Sequence, residues 1–260
     1  MLKRSLWLIP VLLLWVIPSR AAIAHDADSN AGSSVGNVSS FSWAHTCTGS
    51  NLILAVRISV RSNAGTGTVH PTAVTYNSVG LTEQQHYSPI GGGYPSSYNY
   101  VGIWYLKAPA TGSNTIAVTL SGSPGGTDVY ASATSFTGVD QTTPIDNAGA
   151  TSSGIGPVST ASYSLTTSNA NAWIVDGIAY TDLTQQNVTA LGSQVKDYQG
   201  AITQTVDLAS SYNGPIASPG SNTDGYTTSD SNNYAILVGF SIKPAAAGGV
   251  VRHRAMVINR

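Results

Sequence analysis

His45 and Cys47 stand two residues apart in Ser40-Phe-Ser-Trp-Ala-His-Thr-Cys47. On a strand, residues two apart share a face, and an imidazole beside a thiol is a recipe for a nucleophile. Spacing assigns no third group to orient the pair, so Cys47 reads as a small core thiol beside a strand histidine. It is the only cysteine, which excludes an intramolecular disulfide and Cys-based zinc sites of the usual spacing. His25 would become the first residue if a leader were cut after Ala24. An N-terminal histidine with a second imidazole from His45, His70 or His86 suits copper. Nothing else in the chain resembles such copper enzymes, and His25 reads as a strand or surface residue.

Hydrolytic chemistry finds less support. There is no Gly-x-Ser-x-Gly elbow, and the elbow needs a strand-to-helix turn. Glycosidases need two placed carboxyl groups. Glu83 is the only glutamate beside eleven aspartates, of which Asp128, Asp140, Asp146, Asp176 and Asp207 are candidates for a pair. The expectation is turn chemistry and a non-catalytic protein, with a polysaccharide hydrolase as the last alternative. Gly91-Gly-Gly93 lacks the following helix and lysine of a phosphate cradle and reads as a loop.

Two stretches suit binding. Tyr87, Tyr94, Tyr98, Tyr100, Trp104 and Tyr105 surround the glycine run, with Asn99 among them. Aromatic faces stack on sugar rings, and amides bond sugar hydroxyls; rigid tyrosines also suit protein recognition. The expected ligand-binding set is Tyr87, Tyr94, Tyr98, Asn99 and Tyr100, against the simpler reading that they are ordinary strand residues. Asn222, Asp224, Asp230 and Asn232 supply oxygen ligands of the kind calcium takes, though their spacing is no EF-hand. Without metal they are turn-forming residues, and no other cofactor is expected. Asn37-Val-Ser39 and Asn187-Val-Thr189 match the glycosylation triplet, a pattern that arises easily by chance.

These residues must be held by strands. Asn51–Ser62 alternates, with Leu52, Leu54, Val56, Ile58 and Val60 on one face and Arg57, Ser59 and Arg61 on the other, the period of a half-buried strand. Further strands are expected at 40–45, 72–77, 81–87, 100–107, 115–121, 129–137, 161–166, 172–180, 194–198, 203–212 and 233–243. Asn77-Ser78-Val79-Gly80 reads as a tight turn. The spacing, with Gly/Ser/Pro loops and few helical periods, predicts an all-β antiparallel β-sandwich of jelly-roll, lectin-like type. No internal repeat stands out.

The ends and the composition set the location. Lys3 and Arg4, the apolar run Leu6–Pro18 and the small residues Ser19 and Ala21 read as a signal peptide over 1–21; Ala24 offers a second cleavage position. One domain over 22–244 follows, then a flexible basic-apolar tail over 245–260. The expectation is a secreted, extracellular or cell-surface protein, or a periplasmic one, with no membrane anchor after cleavage. Charged residues are 9% of the chain. Without leader and tail, five basic side chains face twelve acidic ones. That excess argues against nucleic acid, whose binding rests on a basic face.

An ordered series of motifs carries a resemblance. Phe41-Ser-Trp-Ala-His-Thr-Cys-Thr-Gly-Ser-Asn-Leu-Ile-Leu54 is followed by Val74-Thr-Tyr-Asn77 with Leu81-Thr82, then Ile103-Trp-Tyr-Leu106 with Pro109. Ser135-Phe-Thr-Gly-Val-Asp-Gln-Thr-Thr-Pro144 and Gly239-Phe-Ser-Ile-Lys-Pro244 complete it. Over most of 22–244 the chain resembles a widespread group of uncharacterised exported or virus-associated β-sandwich proteins. The resemblance implies a single lectin-like sandwich, a first strand at Ala22-Ile-Ala-His25, and no established activity. Three functions follow as expectations: a binding or adhesive module for carbohydrate or another surface ligand, a self-associating structural subunit of a matrix, fibre or virus-like particle, or a hydrolase.

Overall fold

The computed structural model describes residues 22–32, 35–62, 68–88, 98–125, 129–181, 187–200, 207–227 and 233–246. The leader, Gly91–Gly93, Tyr94, Asp128, Asp230, Asn232 and the tail beyond residue 246 lie outside them, as do the side chains of Tyr98 and Asp207. Every described ladder is antiparallel, and no helix occurs among the described residues.

The first half of the chain forms β1 (Ala24–Asn30), β2 (Ser40–Cys47), β3 (Ile53–Ser62), β4 (Pro71–Tyr76), β5 (Val79–Gly80), β6 (Thr82–Tyr87), β7 (Tyr98–Lys107), β8 (Gly112–Leu120) and β9 (Val129–Thr137). Sheet I has the order β1-β9-β3-β7-β6, and sheet II the order β2-β8-β4-β5. The turn between β4 and β5 has positive φ at Asn77 and Ser78 (48° and 64°), the twist that suits a two-residue hairpin.

The second half forms β10 (Ile145–Val158), β11 (Thr160–Thr167), β12 (Ala172–Thr181), β13 (Thr189–Ala190), β14 (Val195–Gln199), β15 (Asp207–Ile216), β16 (Gly220–Thr227) and β17 (Asn233–Ile242). Sheet III has the order β10-β17-β12-β15-β14, and sheet IV the order β11-β16-β13. Apart from the two-residue β5, strand for strand this is the topology of the first half. The register repeats too. Ser40 pairs Thr119 and Cys47 pairs Gly112, while Thr160 pairs Thr227 and Thr167 pairs Gly220. Asn51 and Asn171 close the two equivalent turns, each with positive φ (53° and 60°). The internal repeat missing from the sequence pattern is therefore present in the fold.

Three apolar clusters order the sheets as II–I–III–IV. Leu54, Val56, Ile58 and Val60 of β3 meet Val74, Tyr76, Ile116 and Val118 of sheet II. Ile53, Ala55, Val101, Ile103 and Phe136 meet Val175, Ala179, Val238 and Phe240 of sheet III. Ile174, Ile178 and Leu237 meet Tyr163, Leu165 and Tyr226 of sheet IV. Each apolar sheet face is thus buried by a neighbour, as a layered fold requires. The expected half-buried strand at 51–62 is corrected here. β3 is covered on both faces, so Arg57 and Ser59 are interior residues with no exposed surface. Alternation alone shows only that two faces differ; it does not show that one of them is wet.

Arg57 occupies the seam between the halves, opposite Gly177. A Cβ at Gly177 would lie 3.1 Å from Cγ of Arg57. The missing side chain is what admits the arginine stem, so Gly177→Val is expected to cost about 1–3 kcal/mol through overpacking. Urea unfolding monitored by circular dichroism checks this, and an unchanged midpoint would count against the close fit.

Candidate functional site

The expected binding tyrosines divide between two faces. Tyr87 pairs Val101 and packs partly buried on the side facing sheet III. Asn99 alternates onto that same side, where its Oδ1 is buried without a hydrogen-bond partner. Tyr100 points the other way, into the cluster between sheets I and II, and is 2% exposed. Its hydroxyl donates to Glu83 Oε1 at 2.6 Å, and His86 stacks on its ring with centroids 5.8 Å apart. Burial first, then the neighbouring Glu83, raises the Tyr100 pKa well above that of a free phenol. With so little surface, Tyr100 presents no ring face to a ligand.

Tyr105, at the end of the same segment, does reach a cleft. Its cavity of about 460 Å³ lies where the halves join. Tyr105 of β7 and Thr82 of β6 are directly paired, and they form one wall with Lys107. Thr142, Thr143 and Pro144 from the connecting segment, with Ile145 at the start of β10, form the other. The Tyr105 ring is half-buried, backed by Phe240 at a centroid distance of 6.1 Å.

The connecting segment is built to hold that wall still. Asp140 Oδ1 accepts from the backbone N–H of Thr142 and Thr143, at 2.7 and 2.9 Å. The Thr143 N–H leads the causes that hold the Asp140 carboxyl below its usual range. Gln141 Nε2 donates to the carbonyls of Val139 and Leu52 at 3.0 and 3.1 Å. The Lys243 N–H donates to the Pro144 carbonyl at 3.0 Å. Three threonines, a lysine and a tyrosine therefore line one space, together with Leu106, Pro144 and Ile145. Such a site can stack a ring and exchange several hydrogen bonds.

The other candidates are engaged internally. His45 is 1% exposed and sits in a directed hydrogen-bond chain. Asp26 accepts from Ser135 Oγ at 2.6 Å, from the Thr48 N–H at 2.9 Å, and from the Thr48 hydroxyl. Because the Ser135 proton goes to a carboxylate, Ser135 Oγ must accept from His45 Nε2–H, 3.1 Å away. His45 Nδ1 is then the acceptor for Ser29 Oγ–H at 2.8 Å, and Ser29 accepts from the Trp43 indole at 3.0 Å. Burial lowers the His45 pKa to about 4, so the ring is neutral at pH 7. Burial also pushes the Cys47 thiol up, which opposes a thiolate. His25 stacks on Tyr212 at 5.2 Å and pairs with Asp28 at 2.9 Å. Among the described residues, no three His, Cys, Asp or Glu side chains come together as a metal would need.

Asn222 and Asp224 lie on β16, inside a ladder rather than in the turn expected from their residue types. Asn222 Nδ2 donates to the Gly220 carbonyl at 2.9 Å, as Asn114 does to Gly112 at 3.4 Å in the equivalent turn. Asp224 Oδ1 accepts from Asn213 at 2.7 Å, and its other oxygen is buried without a partner. Of the other acids, Asp146 accepts from the Ser168 N–H at 2.8 Å. Asp176 is sealed in the interior, where it accepts from Ser211 and Tyr226 hydroxyls at 2.6 and 2.7 Å and from Gln194 at 2.8 Å. Burial outweighs those donors and raises its pKa to about 7. A raised carboxyl is what a general acid needs, but this one has no path to a substrate.

No protein-family model, no curated protein and no solved structure matches this chain.

Proposed function

We propose that this chain is an exported, non-catalytic β-sandwich that binds carbohydrate through the cleft at the junction of its halves. Each half reads as a jelly-roll sandwich of two sheets over one core, a lectin-like architecture. The single observation that carries the reading is the cleft itself, with one half-buried tyrosine ring, three threonine hydroxyls and one lysine on rigid walls. A pyranose offers a CH-rich face for the ring and hydroxyls for the rest, and it needs no counter-charge. The outer faces of sheets II and IV fit the same wet, exposed setting. They carry Ser42, Thr115 and Thr119 on one side and Ser162, Ser164 and Thr223 on the other, all exposed and uncharged.

A glycan array, followed by pull-down on insoluble polysaccharides, tests this. Tyr105→Ala is expected to weaken binding at least about tenfold, near 1.4 kcal/mol. Thr142→Ala and Thr143→Ala should weaken it several-fold, while His70→Ala, just before β4 of the far sheet, leaves it intact. If no glycan is retained, the function is wrong; if Tyr105→Ala binds as well as the unchanged chain, the site is wrong.

A further inference from the structure

An open sheet edge is a template for another strand, and proteins blunt such edges with charge, bulges or brevity. The four sheets end in eight edge strands. β5 and β13 are two residues long. β1 carries Asp26 and Asp28 and shifts register after His25. β6 carries Glu83 and His86 and shifts register after Glu83. β14 carries Lys196 and Asp197 and shifts after Lys196, while β10 shifts three times along its length. Among the described edge strands, only β2 and β11 lack every device. Each has eight residues, an unbroken register with one neighbour, and no charged side chain, His45 being neutral.

The two differ in what lies beneath. On β11 the inward side chains are already sealed, with Ala161, Tyr163 and Leu165 at 9%, 5% and 2% exposure. On β2 the inward Phe41 and Trp43 are only partly buried. They are stacked on each other with centroids 5.9 Å apart and planes 13° apart, and the Trp43 indole is fixed by Ser29. Among the described residues nothing pairs with the outer edge of β2, which also has apolar surface to cover.

We infer that a second copy of this chain pairs with β2, edge to edge about a two-fold axis, joining two copies of sheet II into one eight-stranded sheet. Strand addition supplies backbone hydrogen bonds, and the two-fold makes the contact self-complementary. Opposed residues of an antiparallel pair share a face. An axis through Ser42 sets Phe41 opposite the partner's Trp43, so that two stacked pairs cover each other. The inference goes beyond the carbohydrate reading. β2 packs on β1, whose Ser29 holds its His45 and whose Asp26 holds Thr48 just beyond it, whereas the cleft lies at the β6–β7 end of sheet I. Both clefts of a dimer stay open, and a polymer with repeated sites would be held with avidity.

Sedimentation velocity over a concentration series, with glycan absent, reads this directly. The expected result is a monomer–dimer equilibrium. Ser42→Lys opposes two ammonium groups across the axis and should weaken dimerisation at least tenfold, while Ser162→Lys on the equivalent β11 does not. Ser42→Cys provides a second readout, because the native Cys47 is buried. Cysteines facing each other across an antiparallel pair lie within disulfide reach. Mild oxidation should give a covalent dimer of Ser42→Cys and none of Ser162→Cys. A chain that stays monomeric at every concentration, a dimer indifferent to Ser42→Lys, or the absence of a Ser42→Cys cross-link would each overturn the inference.

Discussion

Arg57→Ala is expected to lower the stability of the whole chain by about 3–5 kcal/mol, the scale for breaking a buried ion pair from one side. The guanidinium is fully buried between sheets I and III and ties both halves together. It donates to the Asp176 carbonyl at 3.1 Å, to the Ser211 carbonyl at 3.2 Å and to Thr134 Oγ1 at 2.6 Å, all on neighbouring strands. Its charge is met by Asp197, 3.3 Å away, which is itself buried and accepts from the Thr134 and Ser210 hydroxyls. Truncation leaves that carboxylate without its cation and two carbonyls without a donor, and it opens a cavity over Gly177. The control is the double variant Arg57→Met with Asp197→Leu. Removing both charges while keeping volume should recover at least half the loss, because the desolvation of each ion is no longer imposed. Urea unfolding followed by tryptophan fluorescence measures both. A cost below about 1 kcal/mol for Arg57→Ala would mean that the pair is not a structural tie.

The all-β class and most strand positions were legible, and the reason is visible in particular strands. Val129–Thr137 and Ala172–Thr181 combine β-branched and aromatic residues with turn residues at both ends, so local chemistry and burial agree. β10 was invisible because its Gly- and Ser-rich run, with three register shifts against β17, has no period to read. β16 reads as turns in the sequence because Asn and Asp usually serve turns; here Asn222 caps one and Asp224 is buried within the strand. The duplication escaped because the halves share topology more than side chains. A literal run survives in Gly112-Ser-Asn-Thr115 and Gly220-Ser-Asn-Thr223, each opening the strand at the same point of its half. The aromatic segment supplies one ring of the proposed cleft, but its spacing does not say which rings meet. Alternation along β7 sends Tyr100 into one core and Tyr105 to the cleft, and the threonines that complete it come from the linker. Contacts of that kind depend on how the halves pack, which no local pattern encodes.

The halves also differ in where they bury polar groups, and this predicts a pH response that two single variants should tilt in opposite directions. Pairing in the two halves makes Leu165 the counterpart of His45, and Val56 the counterpart of Asp176. His45 has its pKa lowered to about 4 by burial, from an ordinary 6.5. The unfolded chain then binds the proton more readily, so stability grows as pH rises from about 4 to 6.5, by roughly 3 kcal/mol. Asp176 has its pKa raised by burial to about 7, from an ordinary 3.8. Here the folded chain binds the proton more readily, so stability falls as pH rises across that window, by roughly 4 kcal/mol. Asp224, also raised by burial, contributes in the same direction. The two slopes nearly cancel in the unchanged chain. His45→Leu, borrowing the residue of the other half, should leave a protein that loses stability steadily from about pH 4 to 7. Asp176→Asn should leave one that gains stability from about pH 4 to 6.5, less the opposing part from Asp224. Urea midpoints across that range decide it, because the signs of the slopes are independent of whatever constant cost each substitution carries. Parallel profiles for the two variants would show that neither buried group titrates as its surroundings require.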